Sequence, residues 1–382
     1  MLACKGKKNV FPKQGARGKE RQFPMKRRGP RPAAGCGYGI AKTKVCISHG
    51  LPERSGCGWL AYGEEKQALA GGRRYETQAC PYRAGTDKKR QPRKHRMYFP
   101  AEGEGKLSKA DQIFLQNCRD ILEKGVWDTD REVRPRWEDG TPAHTVKLFG
   151  VVNRYDLREE FPIQTIRKIN YRAAFDELLW IWQKKSNNIH DLASHIWDSW
   201  ADENGSIGKA YGYQLGVKHI YPEGEFDQVD RVLYDLRHNP GSRRILTNIY
   251  VHQDLHAMNL YPCAYSMTFN VSGNTLNAIL NQRSQDMLTA NSWNVVQYAA
   301  LVHLFARCSG LEAGELVHVI ADAHIYDRHV PLVEQLMERE SYPAPVFRLD
   351  PAVRDFYDVT VDGMALENYQ CAPGIGKIPV AI

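Results

Sequence analysis

Cys263 stands in the run Leu260-Tyr261-Pro262-Cys263-Ala264, just after a proline and just before a strand-like stretch. The proline stiffens the chain there, so the thiol can face a cavity and act as a nucleophile. The pentapeptide alone says little, because a lone cysteine is commonly a small buried hydrophobe. Its neighbours add weight. Ser242-Arg243-Arg244 ends nineteen positions upstream, and Arg283, in Gln282-Arg283-Ser284-Gln285-Asp286, lies twenty positions downstream. Arginine forks suit a phosphate dianion, and nearby positive charge favours thiolate over thiol. The plainer alternative is a set of surface salt bridges worth little.

Asn294 sits in the apolar run Ser-Trp-Asn-Val-Val, and a buried amide at a helix start needs partners. Its paired donor and acceptor match the edge of a pyrimidine such as uracil. In Ala323-His324-Ile325-Tyr326-Asp327-Arg328-His329 the alternation sends His324 and Tyr326 to one side, as a sugar-binding pair requires. Each of these residues taken singly reads more readily as a satisfied core polar group than as a ligand contact.

The elements that must carry them are legible as periodicity. Ala110 to Lys124 places Ile113, Phe114, Cys118, Ile121 and Leu122 on one helical face. The charged stretch from Val133 to Thr145 reads as a loop before the strand-like VKLFGVVNRYDL. Tyr171 to Gln183 reads as a central apolar helix with a single Glu177 among aromatic and aliphatic neighbours. Strands are expected at Arg244 to Val251, Ala264 to Val271 and Glu315 to Ala323, with a late one at Pro343 to Asp358. Trp293 to Cys308 reads as a long buried helix. Without a regular βαβ rhythm, the expectation is an α+β domain on a large sheet.

Charge divides the 382-residue chain: residues 1–96 carry +18 and residues 97–382 carry −10. The leader also holds 14 of the 31 glycines and five of the nine cysteines, so it buries little and is expected to be disordered. It reads as a translated upstream stretch, a nucleic-acid-binding tail or an organellar transit peptide, with Met97 a plausible start of the catalytic domain 97–382. Its cysteines form no C-x-x-C pair, and no metal site is expected anywhere. No apolar run is long enough to span a membrane, so a soluble protein of the reducing cytoplasm with free thiols is expected. No G-x-G-x-x-G or P-loop is present.

Over nearly all of residues 107–382 the chain resembles the thymidylate synthase family, with SRR, LYPCA, QRSQD, SWN, DAHIYDRH and a terminal PVAI in the family's order. DELLWIWQ, IWDSWADENGSIGKAYGYQ and RYDLREEFPIQT are also family-like. The resemblance implies a large mixed β-sheet with packed helices and the reductive methylation of dUMP to dTMP. Its co-substrate would be 5,10-methylenetetrahydrofolate. Cys263 would attack C6 of uracil, while Arg243, Arg244, Arg283 and Ser284 would hold the phosphate, the first two from a partner subunit in a homodimer. Asn294 would read O4 and N3, and His324 with Tyr326 would hold the deoxyribose hydroxyl. Glu177 and Tyr211 would relay protons. On the folate side stand Asp286, Trp197 and Trp200, with Ala381 and the carboxylate of Ile382 closing the lid.

The sequence departs from the family in several places. Ala264 follows the nucleophile where His is usual, a variant resembling some Bacillus members. The phosphate-loop arginine falls at Gly140, where Arg134 or Arg136 could supply the missing charge. Asn170 replaces a folate-contacting His, and LTANSW replaces the usual text before the asparagine. Two rival functions remain. One is a dUMP or dCMP hydroxymethylase of the same fold, against which Asn294 argues for uracil and Trp197 for exclusion of water. The other is a nucleic-acid-binding regulator acting through the leader, although nucleic acid is not the expected partner.

Overall fold

The computed structural model describes residues 107–382. The leader expected to be disordered and the start expected at Met97 lie outside them. The first helix, α1 (Lys109–Lys124), buries Phe114, Cys118 and Ile121 of the face its spacing predicts, with Ile113 and Leu122 half-buried at its margins. It stops at Gly125, where a Cβ would meet the Ile121 carbonyl at 2.2 Å. Two short and long strands follow, β1 (Val126–Trp127) and β2 (Thr145–Asp156). Helix α2 (Tyr171–Trp182) is capped by Asn170, whose side chain accepts from the Ala173 amide.

A short helix α3 (Gly212–Gly216), a hairpin of β3 (His219–Tyr221) and β4 (Gly224–Phe226), and the amphipathic helix α4 (Gln228–His238) come next. They precede β5 (Leu246–Asn248), β6 (Ala264–Ser272), β7 (Thr275–Gln282) and β8 (Gln285–Asp286). Helix α5 (Asn291–Cys308) leads to β9 (Glu312–Tyr326), helix α6 (Val330–Met337) and a small pair, β10 (Val346–Leu349) and β11 (Met364–Glu367).

The main sheet has seven strands in the order β1-β2-β9-β7-β6-β5, with β8 also on β9. Only β7 and β8 run parallel to β9; the other pairs are antiparallel, so the sheet is mixed and the class α+β. Helix α5 is the crossover between parallel β7 and β9, and it packs on that sheet and on α2. Its all-round apolar surface explains why fourteen of its residues are buried. Among the described residues no helix is long and apolar enough to cross a membrane.

Two strand expectations need correction. Only Leu246–Asn248 of the stretch from Arg244 to Val251 pairs in the sheet. The late strand expected over Pro343 to Asp358 is just Val346–Leu349, followed by a turn at Asp350-Pro351 and a 3-10 turn at Phe356–Asp358. Proline lacks the N–H to extend the ladder, and the alternation past it reflects packing of Val353 and Phe356 into the core.

Candidate active site

The twenty-residue spacing between Cys263 and Arg283 is the length of a hairpin. Strands β6 and β7 pair from Ser272↔Thr275 at the turn to Ala264↔Gln282 at the open end. The residues just beyond that end therefore face each other, and the Arg283 amide donates to the Cys263 carbonyl at 2.9 Å. Arg283 then folds over the thiol. Its Nε donates to the Pro262 carbonyl at 2.9 Å, and its Nη2 donates to the Tyr261 carbonyl at 2.7 Å and lies 3.6 Å from the Cys263 sulfur. Burial pushes the thiol above its ordinary pKa, while Arg283, the Tyr211 hydroxyl and Arg134 pull it back.

Tyr211 reaches this position from a strained backbone, φ 45° and ψ −106°, just before Gly212. Its hydroxyl accepts from the Cys263 amide at 3.1 Å. A Cβ at residue 212 would meet the Ser186 carbonyl at 2.3 Å, so glycine permits the close approach that seats α3. Burial holds the Tyr211 phenol well above its usual pKa, which keeps its proton in place.

After β7 the chain leaves the sheet for Arg283 and Ser284 and rejoins β9 as β8, which sets Asp286 beside His324. A cavity of about 260 Å³ opens at this end, lined by Arg283, Ser284, His324 and Tyr326 together with the loop residues Val133 and Pro135. The His324 and Tyr326 rings stand edge to face with centroids 5.2 Å apart. His324 Nδ1 lies 2.8 Å from the Asp322 carboxylate, which fixes the ring and leaves Nε2 free to meet a hydroxyl. The positive field of Arg134 reaches both Cys263 and Tyr326, whereas Arg136 lies 3.7 Å from Glu132 and its backbone pairs both ways with Ile382. Of the two arginines considered for the missing loop charge, neither lines the cavity, but Arg134 stands between the lining residues Val133 and Pro135 and its charge acts on the thiol.

Glu177 is buried on α2 with three donors around its carboxylate. Trp197 Nε1 reaches Oε1 at 2.6 Å, Gln297 Nε2 reaches Oε2 at 2.8 Å, and Trp293 Nε1 also donates to Oε2. Burial raises its pKa and the three donors moderate the rise. Trp197 links this acid to the thiol side, its ring 5.0 Å from Tyr211 and 5.8 Å from Trp200.

Asn294, half-buried in the first turn of α5, accepts from Gln282 at 3.1 Å and donates to Gln297 at 3.3 Å. Asp286 accepts from the Leu288 and Thr289 amides at 2.9 and 3.1 Å, and His329 Nδ1 lies 3.6 Å away. Burial opposes ionisation of Asp286, but His329, His324 and the Thr289 hydroxyl prevail and bring its pKa to about 2. The tail is tied down nearby: His329 Nε2 lies 2.8 Å from the Pro379 carbonyl, and Ala381 and Ile382 follow.

The fold thus gathers Cys263, Arg283, Ser284, His324, Tyr326, Tyr211, Glu177, Asn294, Asp286, Trp197 and Trp200. It does not bring Arg243 and Arg244 to the cavity of their own chain; both are exposed just before β5. Trp293, Gln282 and Gln297 escaped the reading of the sequence. The i to i+4 spacing of Trp293 and Gln297 on one helix face was the available signal.

The chain matches the family model described as thymidylate synthase over residues 112–382. It is 42% identical over 269 residues to thymidylate synthase of Bacillus subtilis subsp. natto, covering 69% of this chain and 96% of that relative. The identity, length and coverage are the same for thymidylate synthase of Bacillus phage phi3T. The solved structure titled thermostable thymidylate synthase A from Bacillus subtilis aligns with a TM-score of 0.69 at 40% identity, covering 71% of this chain and 99% of that one.

Proposed function

The chain belongs to the thymidylate synthase family, and from that membership we propose how its residues divide the reductive methylation of dUMP to dTMP. The observation that carries the reading is the thiol of Cys263 3.6 Å from the Arg283 guanidinium, the same arginine lining a cavity beside Ser284, His324 and Tyr326. Arg283, Ser284 and Arg134 take the phosphate, and His324 with Tyr326 takes the deoxyribose hydroxyl. Binding energy gathered at the phosphate then aligns the distant ring with the sulfur.

The Cys263 sulfur forms a bond to C6, and the electron pair of the C5–C6 double bond moves toward C5 and O4. Asn294 meets N3 and O4, and Glu177 organises proton transfer at O4 and C5. Tyr211, its proton retained, supports the thiolate from the other side. 5,10-Methylenetetrahydrofolate supplies the carbon unit and the reducing equivalents and leaves as dihydrofolate. Its pterin fits the residues present. The Asp286 carboxylate offers acceptors to the ring N–H groups, while Trp197 and Trp200 offer an aromatic wall. The tail at Ala381 and Ile382 closes over it and excludes water.

Arg243 and Arg244 serve the partner's phosphate site in a homodimer. An apolar row supports this: Leu246, Ile279 and Val152 are 50, 39 and 55% exposed on the face of the sheet away from α5. Register places Leu246 beside Thr268, Thr268 beside Ile279, and Ile279 beside Val317, while Val152 pairs with Val319, two residues along β9 on the same face. Such a face is self-complementary about a two-fold axis. We place the enzyme in the cytoplasm, since the mechanism needs a reduced thiol and Cys118, Cys263, Cys308 and Cys371 are all free. Catalysis belongs to residues 97–382.

The test is to incubate the full chain with dUMP and methylenetetrahydrofolate while following dihydrofolate absorbance and nucleotide mass. A gain of one methyl group per dihydrofolate is expected, and deletion of residues 1–96 leaves it unchanged. A hydroxymethyl product, or no product, contradicts the reading.

A further inference from the structure

An asparagine amide fills the same space in two orientations that exchange its donor and acceptor. Uracil offers an N3–H donor and an O4 acceptor, whereas cytosine offers an N3 acceptor and a 4-amino donor. The direction of the Asn294 amide therefore decides which base is matched.

That direction is set from both sides by glutamines anchored on backbone carbonyls. Gln282 Nε2 donates to the Ser284 carbonyl and to Asn294 Oδ1, each at 3.1 Å. A carbonyl only accepts, so the Gln282 amide has one satisfied orientation and the oxygen of Asn294 must face it. Its own Oε1 then meets His318 Nε2 at 2.8 Å in the fully buried row behind. On the other side Gln297 Nε2 donates to the Ala174 carbonyl at 3.2 Å and to Glu177 Oε2 at 2.8 Å. Its Oε1 is thereby turned to accept from Asn294 Nδ2 at 3.3 Å. A flipped Asn294 would set donor against donor at Gln282 and acceptor against acceptor at Gln297, in a site where Gln282 and Gln297 are nearly inaccessible to water.

We propose that Gln297 is a positioning residue that joins base selection to proton handling: one end of its amide holds Asn294 in the uracil-reading orientation, and the other holds the Glu177 carboxylate. This rests on the roles given above to Asn294 and Glu177. The two anchors also place the base reader and the acid on one rigid frame, since Gln297 and Asn294 share α5 and Glu177 and Ala174 share α2. The titratable groups facing Glu177 are Asp176 on its own helix, Tyr211 before α3 and Tyr298 on α5. Burial holds both phenols above their ordinary pKa, so neither competes for the proton.

The test compares the full-length protein with its Gln297→Met and Gln297→Glu variants. Two quantities are read: the ratio of the dCMP to the dUMP dissociation constant, and the acid limb of kcat against pH with dUMP. Gln297→Met keeps the length and removes both contacts. The ratio should fall about tenfold or more, and the acid limb should rise by about one pH unit as Glu177 loses a donor that favours its carboxylate. Gln297→Glu keeps an oxygen toward Asn294 and sets a second carboxylate beside Glu177. Its ratio should stay within about threefold of the parent while the acid limb rises further. The proposal is overturned if Gln297→Met changes neither quantity, or if both variants lose the same selectivity. A parent protein that does not turn over dUMP defeats the functional reading itself, a different outcome from either of these.

Discussion

Arg283 touches the Cys263 loop three times, with Nε on the Pro262 carbonyl, Nη2 on the Tyr261 carbonyl, and Nη2 again 3.6 Å from the sulfur. One side chain therefore both shapes the turn that presents the nucleophile and supplies positive charge to it. The same guanidinium lines the cavity, so a bound phosphate and the thiolate draw on one charge from different sides.

The charge is measurable apart from turnover. Cys263 is an acid whose pKa burial raises and Arg283 lowers, so its thiolate forms only above the ordinary thiol value. Arg283→Ala should raise that pKa further and slow iodoacetamide modification of the Cys263 peptide at pH 8 by about tenfold, the effect of one pKa unit. Arg283→Lys keeps the charge without the fork, so modification should stay near the parent rate while dUMP affinity falls. Peptide mapping of the modified cysteine against pH checks both.

Much of this site was legible as spacing. The alternation along β9 is a short-period pattern, so His324 with Tyr326 could be paired from the text alone. Arg283 stood out only as one of three arginines flanking Cys263 in sequence, because the strand β7 that turns it back beside the thiol was not read. Helices α1 and α2 showed through because a continuous apolar face leaves a readable period, and α5 because its apolar run is too long for a strand. The amides around Asn294 did not. Gln282 at a strand end and Gln297 within a helix look like solvated positions until the crossover of α5 over β7 and β9 buries them together. The choice between Arg134 and Arg136 was equally hidden, since it depends on backbone pairing of Arg136 with Ile382, far away in sequence. Strand β8 has two residues and no readable period.

Base selection gives the second expectation. Asn294→Asp replaces a donor with an acceptor opposite O4 of uracil while suiting the amino group of cytosine. The kcat/KM for dUMP should fall by about 100-fold, the scale of an unpaired buried polar group, and the preference should move toward dCMP. Steady-state kinetics with both nucleotides decides it, and unchanged preference would place discrimination elsewhere.

The shared arginines give a third. Arg243 and Arg244 are exposed and away from the cavity of their own chain, so the double variant R243A/R244A should have lost the phosphate grip only on the partner's site. Mixed and refolded in equal amounts with Cys263→Ser, two nearly inactive proteins should together recover about a quarter of the parent activity, because half the dimers then carry one intact site. A mixture no more active than its parts would mean the arginines act within one subunit or on nothing.

The most direct measurement concerns the bond from the Cys263 sulfur to C6. The protein is incubated with 5-fluoro-dUMP and methylenetetrahydrofolate, in which fluorine at C5 cannot leave as the proton does, then digested and analysed by mass spectrometry. The account predicts a covalent nucleotide–folate adduct on the peptide containing Leu260 to Ala264 and none in the Cys263→Ser variant. Absence of an adduct, or its appearance on the peptides of Cys118, Cys308 or Cys371, would contradict it.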